Sequence, residues 1–114
     1  MYAVAGANGA PNTIYVATEG GGLSISTNGG TTFTNYTTAN GLGSNSVRWV
    51  YAIGSTIYAA TSGGLSISLN GGTTFTNYTT ANSGLGDDLV RGVYAVGGTV
   101  YAATHGGGLS IGSP

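Results

Sequence analysis

Few side chains in this sequence could take part in acid–base chemistry. The only histidine is His105, and the only carboxylates belong to Glu19, Asp87 and Asp88. Nucleophilic or general acid–base catalysis needs several such groups to converge on one point. In a symmetric oligomer His105 of one copy could meet Glu19 of another, but a solvated turn is the favoured position for this histidine. We therefore predict no catalytic residues and a protein that is not an enzyme.

The adjacent carboxylates of Asp87 and Asp88 are the strongest candidates for a metal site. On a strand they would point to opposite faces, whereas in a turn they could share a hard cation such as Ca²⁺. Two carboxylates alone make a poor cation site, so a solvated turn or an N-terminal helix cap is the favoured interpretation. The chain has no cysteine, which excludes thiolate metal sites, disulfides and a cysteine nucleophile. We predict no metal and no cofactor.

The composition limits the possible partners. Charged residues make up 4% of the chain and its formal net charge is −1. Binding to nucleic acid or to an anionic membrane surface needs clustered basic residues, so neither partner is expected. The sequence has no apolar run long enough to cross a bilayer as a helix, and Met1–Gly6 lacks the basic and apolar segments of a signal peptide. We expect a soluble protein, whose location the sequence leaves open.

An internal repeat organises the chain. The sequence from Gly21 to Gly43 returns almost unchanged from Gly63 to Gly86. A further block occurs three times, at Ile14–Thr18, Ile57–Thr61 and Val100–Thr104, with starts 43 residues apart. Repeats of about this length that contain several short strands are typical of β-propeller blades.

Each repeat can be divided into four strands, which in the second repeat are expected at 47–53, 57–61, 65–68 and 74–78. Tyr2–Val4 is matched to the second half of the first of these strands. Alternating apolar and polar residues, as in Leu23–Ser26, indicate strands, and Asn28-Gly29 and Asn70-Gly71 suit type I′ hairpin turns. The sequence therefore predicts an all-β fold, with just under three propeller blades of four antiparallel strands.

The predicted blades cover about residues 1–38, 45–80 and 88–114 within a single repeat domain, 1–114. The third blade is incomplete, because no fourth strand follows Leu109–Ile111. The alternative fold is a β-trefoil, which also contains three units of four strands and would fold as a monomer.

One motif in the turns resembles the Asp-box of sialidase-like propellers, written S-x-D-x-G-x-T-W. Asparagine replaces the aspartate and phenylalanine replaces the tryptophan in both copies. The matching positions are Ser26, Asn28, Gly30, Thr32 and Phe33 in the first copy and Ser68, Asn70, Gly72, Thr74 and Phe75 in the second. The wider repeat is similar to bacterial propellers of the two-component-regulator type. This resemblance implies a structural hairpin rather than a catalytic one, and a bacterial extracellular or periplasmic origin fits it.

Positions where the repeats differ point to a binding face. Glu19, Ser62 and His105 occupy equivalent positions before the third strand, and Asp87-Asp88 replaces Ser44-Asn45 before the first strand. In propellers these two links lie on the same face of the disc. We therefore expect the varied polar residues to gather at one mouth of a central channel.

Two arginines and a tryptophan lie close to these links in the sequence. Arg48 and Arg91 share a repeat position and are expected to line the channel, where they could attract an anion. Trp49 beside polar groups suits a sugar ring or a peptide. The alternative is that Trp49 fills space between two blades.

Three blades leave apolar sheet faces and strand edges open. The sequence therefore predicts homo-oligomerisation into a ring, as a dimer with about six blades or a trimer with about nine. The predicted function is a non-enzymatic scaffold assembled from identical chains. A lectin-like carbohydrate-binding propeller is the alternative, and a glycoside hydrolase is the least favoured.

Overall fold

The computed structural model describes residues 2–5, 13–53, 55–83 and 85–112, with side chains described from Thr13 onward except that of Ser83. The described strands form three antiparallel sheets, in the orders β1-β2-β3-β4, β5-β6-β7-β8 and β9-β10-β11. The bounds in the first sheet are β1 Tyr2–Ala5, β2 Ile14–Ala17, β3 Leu23–Ser26 and β4 Thr34–Tyr36. In the second they are β5 Val47–Ile53, β6 Thr56–Thr61, β7 Gly64–Ser68 and β8 Thr76–Tyr78. In the third they are β9 Val90–Val96, β10 Thr99–Thr104 and β11 Leu109–Gly112.

Two short helical turns follow the fourth strands, a 3₁₀ turn at Thr38–Asn40 and an α-helical turn at Thr80–Ser83. Thr37 caps the first of them, since its side chain accepts a hydrogen bond from the Ala39 N–H. Asn40 reaches back to the Thr37 N–H, which completes a capping box. No helix in the described part of the chain is long and apolar enough to cross a membrane.

The fourth strands are shorter than the sequence pattern predicts. The expected strand 74–78 begins only at Thr76, because the Asn70 side chain holds the backbone of Thr74. The Thr74 N–H donates to Asn70 Oδ1 at 3.0 Å, so it is not available to a strand ladder. The polar turn therefore extends two residues into the predicted strand.

The first strand is also displaced relative to the repeat alignment. Tyr51 lies opposite Tyr58 in the second sheet, whereas Tyr15, the equivalent of Tyr58, lies opposite Val4 rather than Tyr2. The predicted match of Tyr2–Val4 with the end of the first strand is therefore wrong by two residues.

The sheets pack face to face, and side chains that point to opposite faces of the second sheet contribute to two separate cores. In β6, Ile57 and Ala59 belong to the core between the first and second sheets, and Ala60 belongs to the core between the second and third. The second sheet is thus covered on both sides. The fully buried side chains Leu23, Val50 and Ile57 lie in the first core, and Val90 lies in the second.

Candidate functional site

The links between strands meet along one edge of the three sheets, which we call the link face (residues 18–22, 44–46, 62–63, 87–89 and 105–108). Asn45 O accepts from the N–H groups of Gly20 and Gly22 at 3.0 and 2.8 Å. Glu19 forms an isolated antiparallel bridge with Ser46. Backbone hydrogen bonds therefore hold the link of the first sheet directly against the start of the second sheet.

Within the second and third sheets, the link before the third strand instead binds the residue before the first strand of the same sheet. The Ser62 N–H donates to Ser46 O at 3.0 Å, and the His105 N–H donates to Leu89 O at 2.9 Å. The structure thus brings Glu19 and Ser62 to the two sides of Ser46. The side chains of Glu19 and His105 are both exposed to solvent on this face.

The carboxylate of Asp87 accepts hydrogen bonds from two backbone N–H groups. Its Oδ1 accepts from the Leu89 N–H at 3.0 Å and its Oδ2 from the Gly106 N–H at 3.1 Å. The hydrogen bond from Leu89 lowers the pKa of Asp87 below its ordinary value, with further lowering by the hydrogen bond from Gly106 and by the electrostatic interaction with His105. In the second sheet Ser44 Oγ takes the same place and accepts from the Ser46 N–H at 3.1 Å. Asp87 therefore closes a turn.

Asp88 ties the link to the preceding helical turn. Its Oδ1 accepts from the Thr80 N–H at 2.7 Å. Asn45 makes the equivalent bond to the Thr38 N–H at 2.9 Å. Within the described residues no group of three or more histidine and acidic side chains is placed to hold a metal ion.

Both arginines occupy β-bulges in the first strands of their sheets. In β5, Val47 pairs with Thr61 and Trp49 with Ala60, so Arg48 has no partner residue across the ladder. Arg91 likewise has no partner residue, because Val90 pairs with Thr104 and Gly92 pairs with Ala103. A bulge redirects the extra side chain, which explains why both arginines leave the alternation of their strands. Arg48 Nε is buried without a hydrogen-bond partner, whereas Arg91 is exposed.

Trp49 lies between the second and third sheets. It is partly buried against the second core, and a Cβ added at Gly92 would stand 4.0 Å from its indole ring. Gly92 replaces the tryptophan of the previous repeat and so leaves room for the ring. Beside it lies an open depression of about 360 Å³, lined by Trp49, Arg91, Tyr94 and Tyr101 among others.

A row of tyrosines continues from this depression. The Tyr51 ring lies 6.2 Å from the Tyr58 ring and 5.0 Å from the Tyr94 ring, measured between centroids. Burial raises the pKa of the Tyr51 hydroxyl, and its contact with Tyr94 raises that pKa further. Tyr94 is 54% exposed, so the row ends at the open face of the third sheet.

The motif turns are built alike in both copies. Asn70 Oδ1 accepts from Ser68 Oγ at 2.9 Å, and Asn70 Nδ2 donates to Thr74 Oγ1 at 2.9 Å. Ser68 Oγ in turn accepts from the Gly72 N–H at 2.8 Å. The first copy repeats these bonds with Ser26, Asn28, Gly30 and Thr32. In the second copy Phe75 packs edge-on against Tyr36, with centroids 6.2 Å apart, while Phe33 is exposed.

The sequence predicts open apolar sheet faces, and the structure has one on the third sheet. Leu109 and Ile111 are each 62% exposed, whereas their repeat equivalents Leu65 and Ile67 are 4% and 5% exposed. The repeat in the sequence is what indicates this exposure. Residues that face the following blade become exposed in the last repeat, because no described sheet follows it.

No protein-family model matches the sequence, and no curated protein matches it either. Solved structures do resemble it. An ancestral GH74 enzyme superposes with a TM-score of 0.72 at 24% identity over 90% of this chain. YCF48 bound to a peptide gives 0.67 at 16% identity over 88%, and the GH74 enzyme of Niastella koreensis gives 0.56 at 26% over 93%. The computationally designed Ika4 protein gives 0.63 at 8% over 90%.

These likenesses show the fold. The GH74 enzymes and YCF48 are β-propeller proteins, and the three sheets of this chain are propeller-like, in an arrangement that is not closed into a ring. The chain spans only 13% of the ancestral GH74 enzyme, 33% of YCF48 and 16% of the Niastella koreensis enzyme.

Proposed function

We propose that this chain is a non-enzymatic propeller module that assembles with copies of itself into a closed scaffold. The observation that carries the proposal is the apolar open face of the third sheet, defined by Tyr94, Val96, Leu109 and Ile111. Each of these side chains is at least 54% exposed. Contiguous exposed apolar surface of this kind marks an interaction site.

The internal repeat supports a second copy as the occupant of this face. Between the first and second sheets, Leu23 and Ile25 pack into one core with Val50 and Ile57. Leu109 and Ile111 are the repeat equivalents of Leu23 and Ile25. A first sheet from another copy would offer them Ile14 and Val16, which are only half-buried. The third sheet of one chain would then meet the first sheet of the next.

Light scattering after size exclusion at two concentrations tests this proposal. We expect a species of at least twice the chain mass of 11.1 kDa. Tyr94→Glu should reduce it to a folded monomer, because a carboxylate would have to be buried in the interface. Leu69→Glu is the matched control, since Leu69 is 74% exposed on a turn outside the open face. A folded wild-type monomer at both concentrations would overturn the proposal.

A lectin-like function is the second candidate, and the depression beside Trp49 favours it. Aromatic rings of Trp49, Tyr94 and Tyr101 next to the Arg91 guanidinium offer stacking and hydrogen bonding to a sugar. Glycan-array binding that is lost in Arg91→Ala and Trp49→Phe would support this function. Binding that persists in both variants would reject the depression as the site.

A glycoside hydrolase is the least favoured function. The GH74 likeness covers 13% and 16% of those enzymes, and Asp87 and Asp88 are engaged in backbone hydrogen bonds. Turnover of a chromogenic glycoside by the wild type, with loss of turnover in Glu19→Gln or Asp87→Asn, would reverse this ranking.

A further inference from the structure

A groove runs along the outer edge of β11, between the second and third sheets. We call it the strand groove; it has a volume of about 550 Å³ and is lined by Leu65, Tyr78, Leu85, Leu109 and Ile111, among others. Among the described residues β11 is the last strand of its sheet. Its outer edge therefore presents backbone N–H and C=O groups that can pair with an added strand.

The first two sheets show what fills the equivalent place. There a fourth strand pairs with the third, with Leu23 opposite Tyr36 and Leu65 opposite Tyr78. The segment that supplies this strand reads NGGTTFTNYTT at both 28–38 and 70–80. The protein thus carries two occupied copies of the site as a template for the third.

Ser110 of β11 is placed to hydrogen-bond such a strand, as a comparison with its repeat equivalent Ser66 shows. Ser66 Oγ accepts from the Gly43 N–H at 3.0 Å and donates to Asn77 Oδ1 at 2.6 Å. Ser110 Oγ accepts from the Gly86 N–H at the same 3.0 Å. No asparagine lies opposite Ser110 in the described part of the chain, so its hydroxyl can donate to one that is added.

The groove also has room for an aromatic ring. In the second sheet Phe75 precedes the fourth strand and packs edge-on against Tyr36 of the sheet before it. Tyr78 is the repeat equivalent of Tyr36 and lines the strand groove. An incoming phenylalanine would find Tyr78 in the position that Tyr36 holds for Phe75.

Glycine geometry gives independent support. A Cβ at Gly22 would overlap the Tyr36 carbonyl oxygen, and one at Gly64 would overlap that of Tyr78. Gly108 has the same kind of backbone, with φ +78°, but nothing stands within 4 Å of its added Cβ. The backbone at Gly108 is therefore shaped to admit the carbonyl of a fourth strand.

We propose that the strand groove binds an extended, uncharged peptide segment with the pattern Phe-x-Asn-Tyr, added antiparallel to β11. Backbone pairing along β11 supplies affinity, and the phenylalanine and asparagine supply specificity. The peptide's asparagine faces Ser110, its tyrosine faces Leu109 and its phenylalanine packs on Tyr78. This site lies on the outer edge of the sheet and does not depend on self-association through Tyr94.

Binding of a fluorescent peptide with the sequence of residues 70–80 to the full chain tests the proposal. Fluorescence anisotropy should report one peptide per chain. Phe75→Ala in the peptide should weaken binding about tenfold or more, since it removes the ring that packs on Tyr78, and Asn77→Ala should weaken it as well. Backbone N-methylation of the peptide at Thr76 and at Asn77, one at a time, should abolish binding at only one position, because alternate N–H groups face the partner strand.

A protein variant completes the test. Gly108→Ala should abolish binding, because its Cβ would meet the incoming carbonyl. Gly97→Ala introduces the same strain at a positive φ of 61°, also with nothing within 4 Å, and should bind the peptide normally. If wild type and Gly108→Ala bound the peptide with equal affinity, or if the parent and Phe75→Ala peptides bound equally well, the proposal that the strand groove binds this segment would be overturned. Tyr94→Glu should lose self-association yet keep peptide binding, so the two proposals fail separately.

Discussion

Replacement of Thr61 by valine tests how the link face is held together. Thr61 is fully buried. Its Oγ1 donates to Gly64 O at 2.7 Å and accepts from the Gly63 N–H at 3.0 Å. Valine keeps the branched shape and the strand preference but removes both side-chain hydrogen bonds. The Gly63 N–H then loses this partner, and the Gly64 carbonyl keeps only its ladder pairing with Thr61. The Gly63 N–H then has to be satisfied by water or remain unpaired.

The magnitude follows from burial. A polar group that loses its partner costs about 1–3 kcal/mol, as at the half-buried Gly63, and the loss of one hydrogen bond to the buried Gly64 carbonyl costs about 1 kcal/mol. Thr61→Val should therefore lower the free energy of unfolding by about 2–4 kcal/mol. Thr104 makes the same two bonds, to Gly108 O at 2.8 Å and from the Gly107 N–H at 3.1 Å. Water reaches these exposed partners, so Thr104→Val should cost only about 1 kcal/mol.

Urea unfolding of wild type and both variants, followed by circular dichroism, measures the difference. The two substitutions are chemically identical and sit at the same repeat position, so their intrinsic strand preferences cancel. If Thr61→Val and Thr104→Val lowered the free energy of unfolding equally, within about 0.5 kcal/mol, burial of the link would not be what strengthens these hydrogen bonds.

Further predictions concern single turns. Gly64→Ala should destabilise the protein by several kcal/mol, because its Cβ overlaps the Tyr78 carbonyl. Gly108→Ala should cost only about 1–2 kcal/mol, which is the strain of a positive φ. Thermal unfolding of both variants measures the difference. Asn70→Asp should change the melting temperature little, because an aspartate can accept from the Thr74 hydroxyl where Asn70 Nδ2 now donates to it; a large drop in melting temperature would show that the amide is required. The pKa of Asp87 is lower in the folded protein than in the unfolded chain. Ionised Asp87 therefore stabilises the fold fully above its ordinary pKa, and this stabilisation is lost as the pH falls through the pKa of the folded state. Asp87→Ser, which copies Ser44, should remove this part of the loss of stability at low pH, as measured by urea unfolding from about pH 7 to about pH 2.5. If the free energy of unfolding of Asp87→Ser fell with pH as steeply as that of the wild type, this role of Asp87 would be contradicted.

The strands were largely predictable because the repeat shows them two or three times. Leu23–Ser26 was expected as a strand and β3 has those bounds. What the pattern missed arises from side chains that compete for backbone groups, as when Asn70 takes the Thr74 N–H and shortens β8. Such competition depends on a geometry that strand periodicity does not encode.

The bulges at Arg48 and Arg91 were likewise outside the reach of the pattern. Only the observed pairing identifies the arginine as the extra residue in β5 and in β9. The gathering of Glu19, Ser46 and Ser62 on one face was accessible, by contrast. It follows from the order of strands within each sheet, which the repeat specifies.

The same residue types acquire different roles in successive repeats because their neighbours differ. Leu65 is a core residue and Leu109 is 62% exposed, although both lie in the same Gly-Leu-Ser-Ile sequence. Gly64 faces the Tyr78 carbonyl and Gly108 faces open space for the same reason. Sequence identity between repeats therefore predicts local structure, while position along the stack determines burial. The candidate binding surfaces arise where the repeat has no described neighbour, at the open face of Tyr94 and at the strand groove beside β11.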